Sequence, residues 1–277
     1  MSLCLMYITN NIDIAKIAEK AGVNRIFIDL EFIGKEERQK GLDTVKSRHS
    51  ISDISKIKQS VNTEILVRIN PIHERINDYI STEEEIEAVI QSGADILMLP
   101  MFKTSNEVKR FLNAVNGRAK TVLLLETSEA VNNLEEIIKF NKIDEIHIGI
   151  NDLHLALKKK FMFELFIDGT IEKVTRILRK HDIVFGIGGI ARIGHGDVPA
   201  EYIIPEHYRL GSSMAILSRS FCNANKNNNL NEVQEIFIDG VKEIRNYEKE
   251  VQKMTEEKLK ENFNQLKILI ANVAERK

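Results

Sequence analysis

The sequence predicts an α/β fold: a (β/α)8 TIM barrel with a long C-terminal helical extension. Three observations carry this prediction. Eight short runs rich in Ile, Val and Leu follow one another at residues 5–8, 25–30, 64–69, 96–101, 121–125, 145–150, 183–187 and 208–217. Most are apolar at consecutive positions, the pattern of strands buried on both faces in a parallel sheet under helices. The segments between them have helical periodicity, and 277 residues accommodate one α/β barrel of about 250 residues. A doubly wound open sheet alternates in the same way, but eight runs favour the closed barrel.

The elements follow in order. The apolar start lacks a basic n-region and meets the polar Thr9-Asn10-Asn11 at once, so it reads as a first strand and not a signal peptide. Ile12–Ala21 places apolar residues at 12, 14, 15, 17, 18 and 21, and Gly22 supplies a C-cap. Residues 35–52, after the second strand, form a polar insertion too long for an ordinary βα loop. Ser81-Thr82-Glu83-Glu84-Glu85 opens a helix over 86–92 with acidic residues suited to its N-terminus, and Gly93 stops it. Further helices are expected over 104–115, before Asn116-Gly117, and over 128–140.

Residues 1–222 make the barrel domain and 223–230 an Asn-rich linker. In 231–277, Phe237, Val241, Ile244, Tyr247, Val251 and Met254 recur at three- and four-residue steps. This predicts a long amphipathic helix with a break before 259–273, packing on the barrel or on a neighbouring subunit.

Composition excludes some functions. Lys and Arg number 39 and Asp and Glu 41, a net charge of −2, which argues against a nucleic-acid partner held by bulk charge. No run approaches the roughly 18–20 apolar residues of a membrane span. Cys4 and Cys222 match no metal-ligand spacing and suit a reducing compartment, so a cytoplasmic location is expected.

The informative residues stand at the ends of the apolar runs. The second ends Asp29-Leu30-Glu31, the third Arg68-Ile69-Asn70, the fifth Glu126-Thr127 and the sixth Asn151-Asp152. A charge at the end of a buried strand is costly unless it is paired, holds a metal or opens on a wet cavity. In a barrel these C-terminal ends form the face where active sites lie. Two carboxylates from adjacent strands suit a hard divalent cation that polarises a carbonyl, and a fixed Arg suits an enolate oxygen. An ion-pair network plugging the barrel end is the alternative.

At these residues the chain resembles the HpcH/HpaI aldolase and citrate lyase β-subunit family, of the pyruvate/phosphoenolpyruvate barrel superfamily. The matching stretches are Ile28-Asp29-Leu30-Glu31, Val67-Arg68-Ile69-Asn70-Pro71, residues 93–101, Leu125-Glu126-Thr127-Ser128-Glu129-Ala130-Val131 and Ile148-Gly149-Ile150-Asn151-Asp152-Leu153. The resemblance implies that Glu126 and Asp152 hold Mg2+ or Mn2+ and that Arg68 binds the keto-acid oxygen, beside Asp29. It implies a class II aldolase-like carbon–carbon lyase that cleaves or forms a 2-oxo acid through a pyruvate-type enolate. The partners would be a pyruvate-like oxo acid and an aldehyde or acyl compound, and the assembly a homo-oligomer. A lyase for acyl-CoA of the citrate lyase β or malyl-CoA type is the alternative.

Phe32 departs from the family pattern, where aldolases carry His and the lyases Asp. Phe32 moves no proton, so that role would pass to Glu31, to water on the metal or to His49 in the insertion. A non-catalytic barrel that binds metal and oxo acid is the reading from another class. Gly186-Ile187-Gly188-Gly189-Ile190-Ala191 formally matches a dinucleotide fingerprint, but at the seventh strand and not the first. Gly188 and Gly189, with Ser212, are candidates for holding a phosphate or other substrate group, or are simply tight turns. His147 lies within a strand, as buried histidines do. Residues 161–166 are apolar enough for a subunit contact or a pocket wall.

Overall fold

The computed structural model describes residues 2–38, 49–76, 79–224 and 229–276. Eight parallel strands close into a barrel in sequence order. They are β1 (Cys4–Ile8), β2 (Arg25–Asp29), β3 (Glu64–Arg68), β4 (Ile96–Leu99), β5 (Lys120–Leu125), β6 (Glu145–Ile148), β7 (Val184–Ile190) and β8 (Met214–Leu217). After β1 comes α1 (Ile12–Ala21); after β2, α2 (Lys35–Arg38) and α3 (Ile51–Lys58); after β3, α4 (Thr82–Gln91); after β4, α5 (Ser105–Val115). After β5 come α6 (Ser128–Asn132) and α7 (Leu134–Ile137); after β6, α8 (Ile150–Ala156), α9 (Glu164–Ile167) and α10 (Thr170–Lys180). After β7 comes α11 (Ala200–Leu210), and after β8, α12 (Leu230–Val251) and α13 (Glu256–Ala274). Residues 39–48 of the predicted insertion and 225–228 of the Asn-rich stretch lie outside the described residues.

Local chemistry sets the helix ends. Asn11 accepts from the backbone N–H groups of Asp13 and Ile14, and Gly22 closes α1 at φ +94°. Thr104 and Glu107 form a capping box on α5. Two expectations are corrected. The helix over 128–140 is two short helices with Asn133 between them. The last apolar run, 208–217, is the end of α11, a turn at Gly211 and then β8, because its helical face buries Leu210 before the chain turns. The expected break in the C-terminal helix before 259–273 falls at residues 252–255, and Thr255 caps α13. α12 packs against α1 and α11 of the same chain and completes the ring of helices around the barrel.

Two apolar layers result. The larger lies between strands and helices. The smaller fills the barrel with Met6, Phe27, Leu66, Ile96, Met98, Val122, Leu124 and Met214. Inward positions alternate along each strand. Along β2 these are Arg25, Phe27 and Asp29; along β3, Glu64, Leu66 and Arg68. Arg25 forks onto Glu145 at 2.6 and 2.7 Å and reaches Glu64 at 3.0 Å, closing the N-terminal end. The same alternation delivers Asp29 and Arg68 to the C-terminal end.

Candidate active site

The C-terminal end of the barrel opens into a cavity of about 490 Å³. Asp29, Arg68, Glu126, Asp152, His49, Gly188 and Gly189 all line it, so strands β2, β3, β5, β6 and β7 contribute to one mouth. Arg68 and Asp29 pair through two bonds, Nε to Oδ1 at 2.8 Å and Nη2 to Oδ2 at 2.9 Å. Arg68 Nη1 also lies 3.2 Å from Glu31. Although burial opposes the charge, Asp29 and Glu31 hold Arg68 firmly protonated. Burial likewise opposes the Asp29 charge, but Arg68 and Lys35 hold that carboxyl well below the usual range.

Glu126 sits differently. Its side chain is buried and accepts one backbone bond, from Met101 N–H at 3.1 Å. Met101 adopts φ +53°, a left-handed backbone that few non-glycine residues take, and thereby aims its N–H at the carboxylate. Burial pushes the Glu126 carboxyl well above its ordinary range; Asp152 and Glu31 push the same way, against Arg68. A Cβ at Gly149 would lie 2.9 Å from both Cβ and Oε2 of Glu126, so only glycine fits there. Two crowded carboxyls opening on a cavity suit a divalent cation whose other ligands are water and substrate oxygens. Among the described residues, no group of three or more Asp, Glu, His or Cys is gathered for a metal.

Glu31 lies behind Arg68, with its side chain only 1% exposed. Arg38 contacts it at 2.5 Å, and Lys35 Nζ stands 3.9 Å away. Lys35 also holds Asp29 at 2.7 Å, and Arg38 Nε approaches Asp152 Oδ1 at 3.8 Å. Sequence reasoning missed both cations. They stand in the polar insertion on the short α2, where no periodicity marks them, and the only signal is their spacing of four and seven residues from Glu31.

His49 precedes α3, whose Asp53 accepts from Ser50 N–H at 2.9 Å and from Asn10 Nδ2 at 3.0 Å. This anchor brings His49 against β2, where its Nδ1 accepts the Asp29 backbone N–H at 2.9 Å. Nδ1 is therefore unprotonated, and a neutral His49 carries its proton on Nε2. Burial lowers the His49 pKa, opposed by Asp29 and Asp53.

Phe32 is 51% exposed and meets Tyr79 edge-to-face at 4.8 Å, outside the cavity wall. Asn70 Oδ1 holds its backbone, accepting from Phe32 N–H at 2.9 Å and Ile33 N–H at 3.0 Å. Asn70 in turn donates to Glu85 at 2.9 Å. Asn70 thus latches the start of the insertion that carries Lys35 and Arg38.

Gly188 and Gly189 belong to the wall, inside β7. Gly188 accepts from His147 Nε2 at 3.1 Å, and a Cβ on it would meet Ile150 Cδ1 at 2.6 Å. Ser212 is a correction. It precedes β8, so it lies at the N-terminal end of the barrel, where its Oγ bonds His207 Nδ1 at 2.8 Å. A loop before a barrel strand faces away from the active-site end.

Known structures share this architecture. An HpcH/HpaI aldolase from Desulfitobacterium hafniense DCB-2 is similar with a TM-score of 0.59 and 15% identity, covering 88% of this chain and 93% of that one. An HpcH/HpaI aldolase/citrate lyase family protein from Burkholderia cenocepacia J2315 gives 0.59 and 12%, covering 84% and 95%. The citrate synthase SbnG gives 0.57 and 14%, covering 79% and 87%. At these identities the likeness is one of fold. No curated protein sequence matches significantly. The profile for HpcH/HpaI aldolase/citrate lyase matches residues 3–164, more than half of the sequence. The chain belongs to the HpcH/HpaI aldolase/citrate lyase family.

Proposed function

We propose that the protein is a divalent-metal-dependent carbon–carbon lyase acting on a 2-oxo acid through a pyruvate-type enolate. One observation carries the reading: a buried Glu126 carboxyl crowded by Asp152, with the charged Arg68 beside it in the same cavity. Glu126 and Asp152 would hold Mg2+ or Mn2+, which supplies Lewis-acid polarisation of the oxo acid. Arg68 keeps N–H donors beyond those spent on Asp29 and Glu31. It offers them to the oxo oxygen, whose charge grows as the enolate forms. Asp29 and Lys35 fix that guanidinium in place. Lys35 and Arg38 enclose Glu31, leaving it a positioning residue for Arg68.

His49 acts as a fixed donor. Taking a proton on Nδ1 would cost it the Asp29 bond, so Nε2–H is the edge it presents to a substrate oxygen. His49→Gln, which keeps a donor, is expected to retain activity within about tenfold, and His49→Ala to lose roughly a hundredfold. An equal loss in both variants, with a pH–rate limb that vanishes in both, would assign His49 the proton transfer instead.

The test of the reaction is deuterium exchange at the methyl group of pyruvate in D2O, followed by NMR, with Mg2+, with Mn2+ and with EDTA. Metal-dependent exchange is expected. Binding of metal and pyruvate without exchange would favour the binding barrel, a reading that the Arg38–Asp152 approach supports. Gly149→Ala should weaken Mn2+ binding by about 10- to 100-fold in a calorimetric titration, because its methyl displaces Glu126.

The same reading includes a homo-oligomer in the cytoplasm, with α13 at the contact, since Ile268 stands 58% exposed on it. Sedimentation of Ile268→Lys tests this. Among the described residues, no helix is long and apolar enough to cross a membrane.

A further inference from the structure

Arg38 is fixed by its surroundings yet leaves one nitrogen unused. The chain turns at Gly34, φ +70°, and Arg38 N–H donates to the Gly34 carbonyl at 3.2 Å. Its Nη2 grips Glu31 at 2.5 Å, and its Nη1 reaches the Ile33 carbonyl at 3.5 Å. Asn70 fixes Ile33 in turn, accepting its N–H at 3.0 Å. The third nitrogen, Nε, is buried and has no hydrogen-bond partner. It stands 3.8 Å from Asp152 Oδ1, within ion-pair range but too far for a hydrogen bond.

Asp152 lies in the first turn of α8 and lines the cavity, with its side chain mostly buried. A carboxylate so placed needs a partner. Among the described residues, Arg38 is the only cation within ion-pair distance of it. The ion-paired cluster is balanced: Asp29, Glu31 and Asp152 stand against Lys35, Arg38 and Arg68. A divalent ion held by Glu126 and Asp152 therefore meets one ligand whose charge is already spent on Arg38. The contact is loose, and a divalent ion carries twice the charge of a guanidinium. Arg38 has a second, tighter anchor in Glu31, so it can yield Asp152 without leaving its place.

From these contacts, and resting on the metal-dependent reading above, we infer that Arg38 is an internal competitor of the metal. It holds Asp152 until a divalent ion takes that carboxylate, and it thereby sets the metal affinity of the site. Metal entry is then an exchange of one cation for another, made at a residue of the insertion after β2.

The experiment uses the full chain and Mn2+ alone, with free Mn2+ followed by its EPR signal. Arg38→Met, which keeps an unbranched stem without the charge, should bind Mn2+ about tenfold more tightly or better. That variant also leaves Glu31 with fewer cations, and the uncovered charge would itself draw metal. Glu31→Gln with Arg38→Met removes one charge of each sign, so the net charge is that of the unaltered protein. It also leaves no buried carboxylate stranded, and it should keep the gain. A gain confined to the single variant belongs to Glu31 and overturns the inference, as does no gain in either. Mn2+ binding to none of the three proteins overturns the metal-dependent reading itself.

A second readout needs no variant beyond an assignment. The Arg38 Nε–H signal in proton–nitrogen NMR is identified by its loss in Arg38→Met. In the unaltered protein it should shift when Mg2+ is added, as Asp152 changes partner. A signal that stays in place while Mg2+ binds shows that Arg38 does not yield, and overturns the exchange.

Discussion

Glu126→Gln is expected to abolish both Mn2+ binding and pyruvate exchange while leaving the fold intact. Gln has nearly the same shape and can still accept the Met101 N–H, but it carries no charge. Burial, helped by Asp152 and Glu31, disfavours the Glu126 carboxylate, so the metal-free variant should melt at the same temperature as the original protein or above it. A ligand that binds only the folded state adds about 2.7 kcal/mol at a hundred times its Kd. For a chain of this size that amounts to a rise of roughly 5–10 °C in Tm. The original protein should show this rise with Mn2+ and the variant should not. A metal-dependent rise that survives in Glu126→Gln would remove Glu126 from the ligand set.

Acidification from pH 6.5 to 4 should cost several kcal/mol of stability through two histidines alone. Burial pushes His147 down to about 4, and burial, with His147 nearby, pushes His207 down to about 3. In the unfolded chain both take up a proton near pH 6.5. Between those limits the unfolded chain holds more protons, so stability rises with pH and falls on acidification. Each histidine contributes about 1.4 kcal/mol per pH unit, and together they give a slope of about 2.7 between pH 6 and 4.5. Urea unfolding at a series of pH values measures this. His207→Gln should remove about half of the slope, whatever it does to stability at pH 7. An unchanged slope in that variant would assign the acid sensitivity to other groups.

The framework was legible because buried parallel strands leave unmistakable apolar runs. Asp29, Arg68, Glu126 and Asp152 were legible because a charge closing such a run needs a reason. Lys35 and Arg38 were not. They lie in a polar segment, and their importance comes from folding back onto Glu31, four and seven residues earlier, which no local pattern encodes. Ser212 was misplaced because the apolar end of a helix runs straight into a strand, which hides the turn at Gly211. Phe32 reads as a lost catalytic group in the sequence, whereas its ring faces outward onto Tyr79. Asn70 was visible only as part of a motif, and its role as a latch for the β2 loop depends on partners 37 and 38 residues away.

The apolar filling of the barrel separates two charged ends. Arg25, Glu64 and Glu145 lie below it, and Arg68, Asp29 and Glu126 lie above. Electrostatic changes at one end reach the other only through a septum that includes Met6, Phe27, Leu66 and Met98. Distant sites without shared partners act nearly independently. Selection can therefore rewrite the mouth, as with an insertion that carries two cations, while the foundation of the barrel keeps its stability.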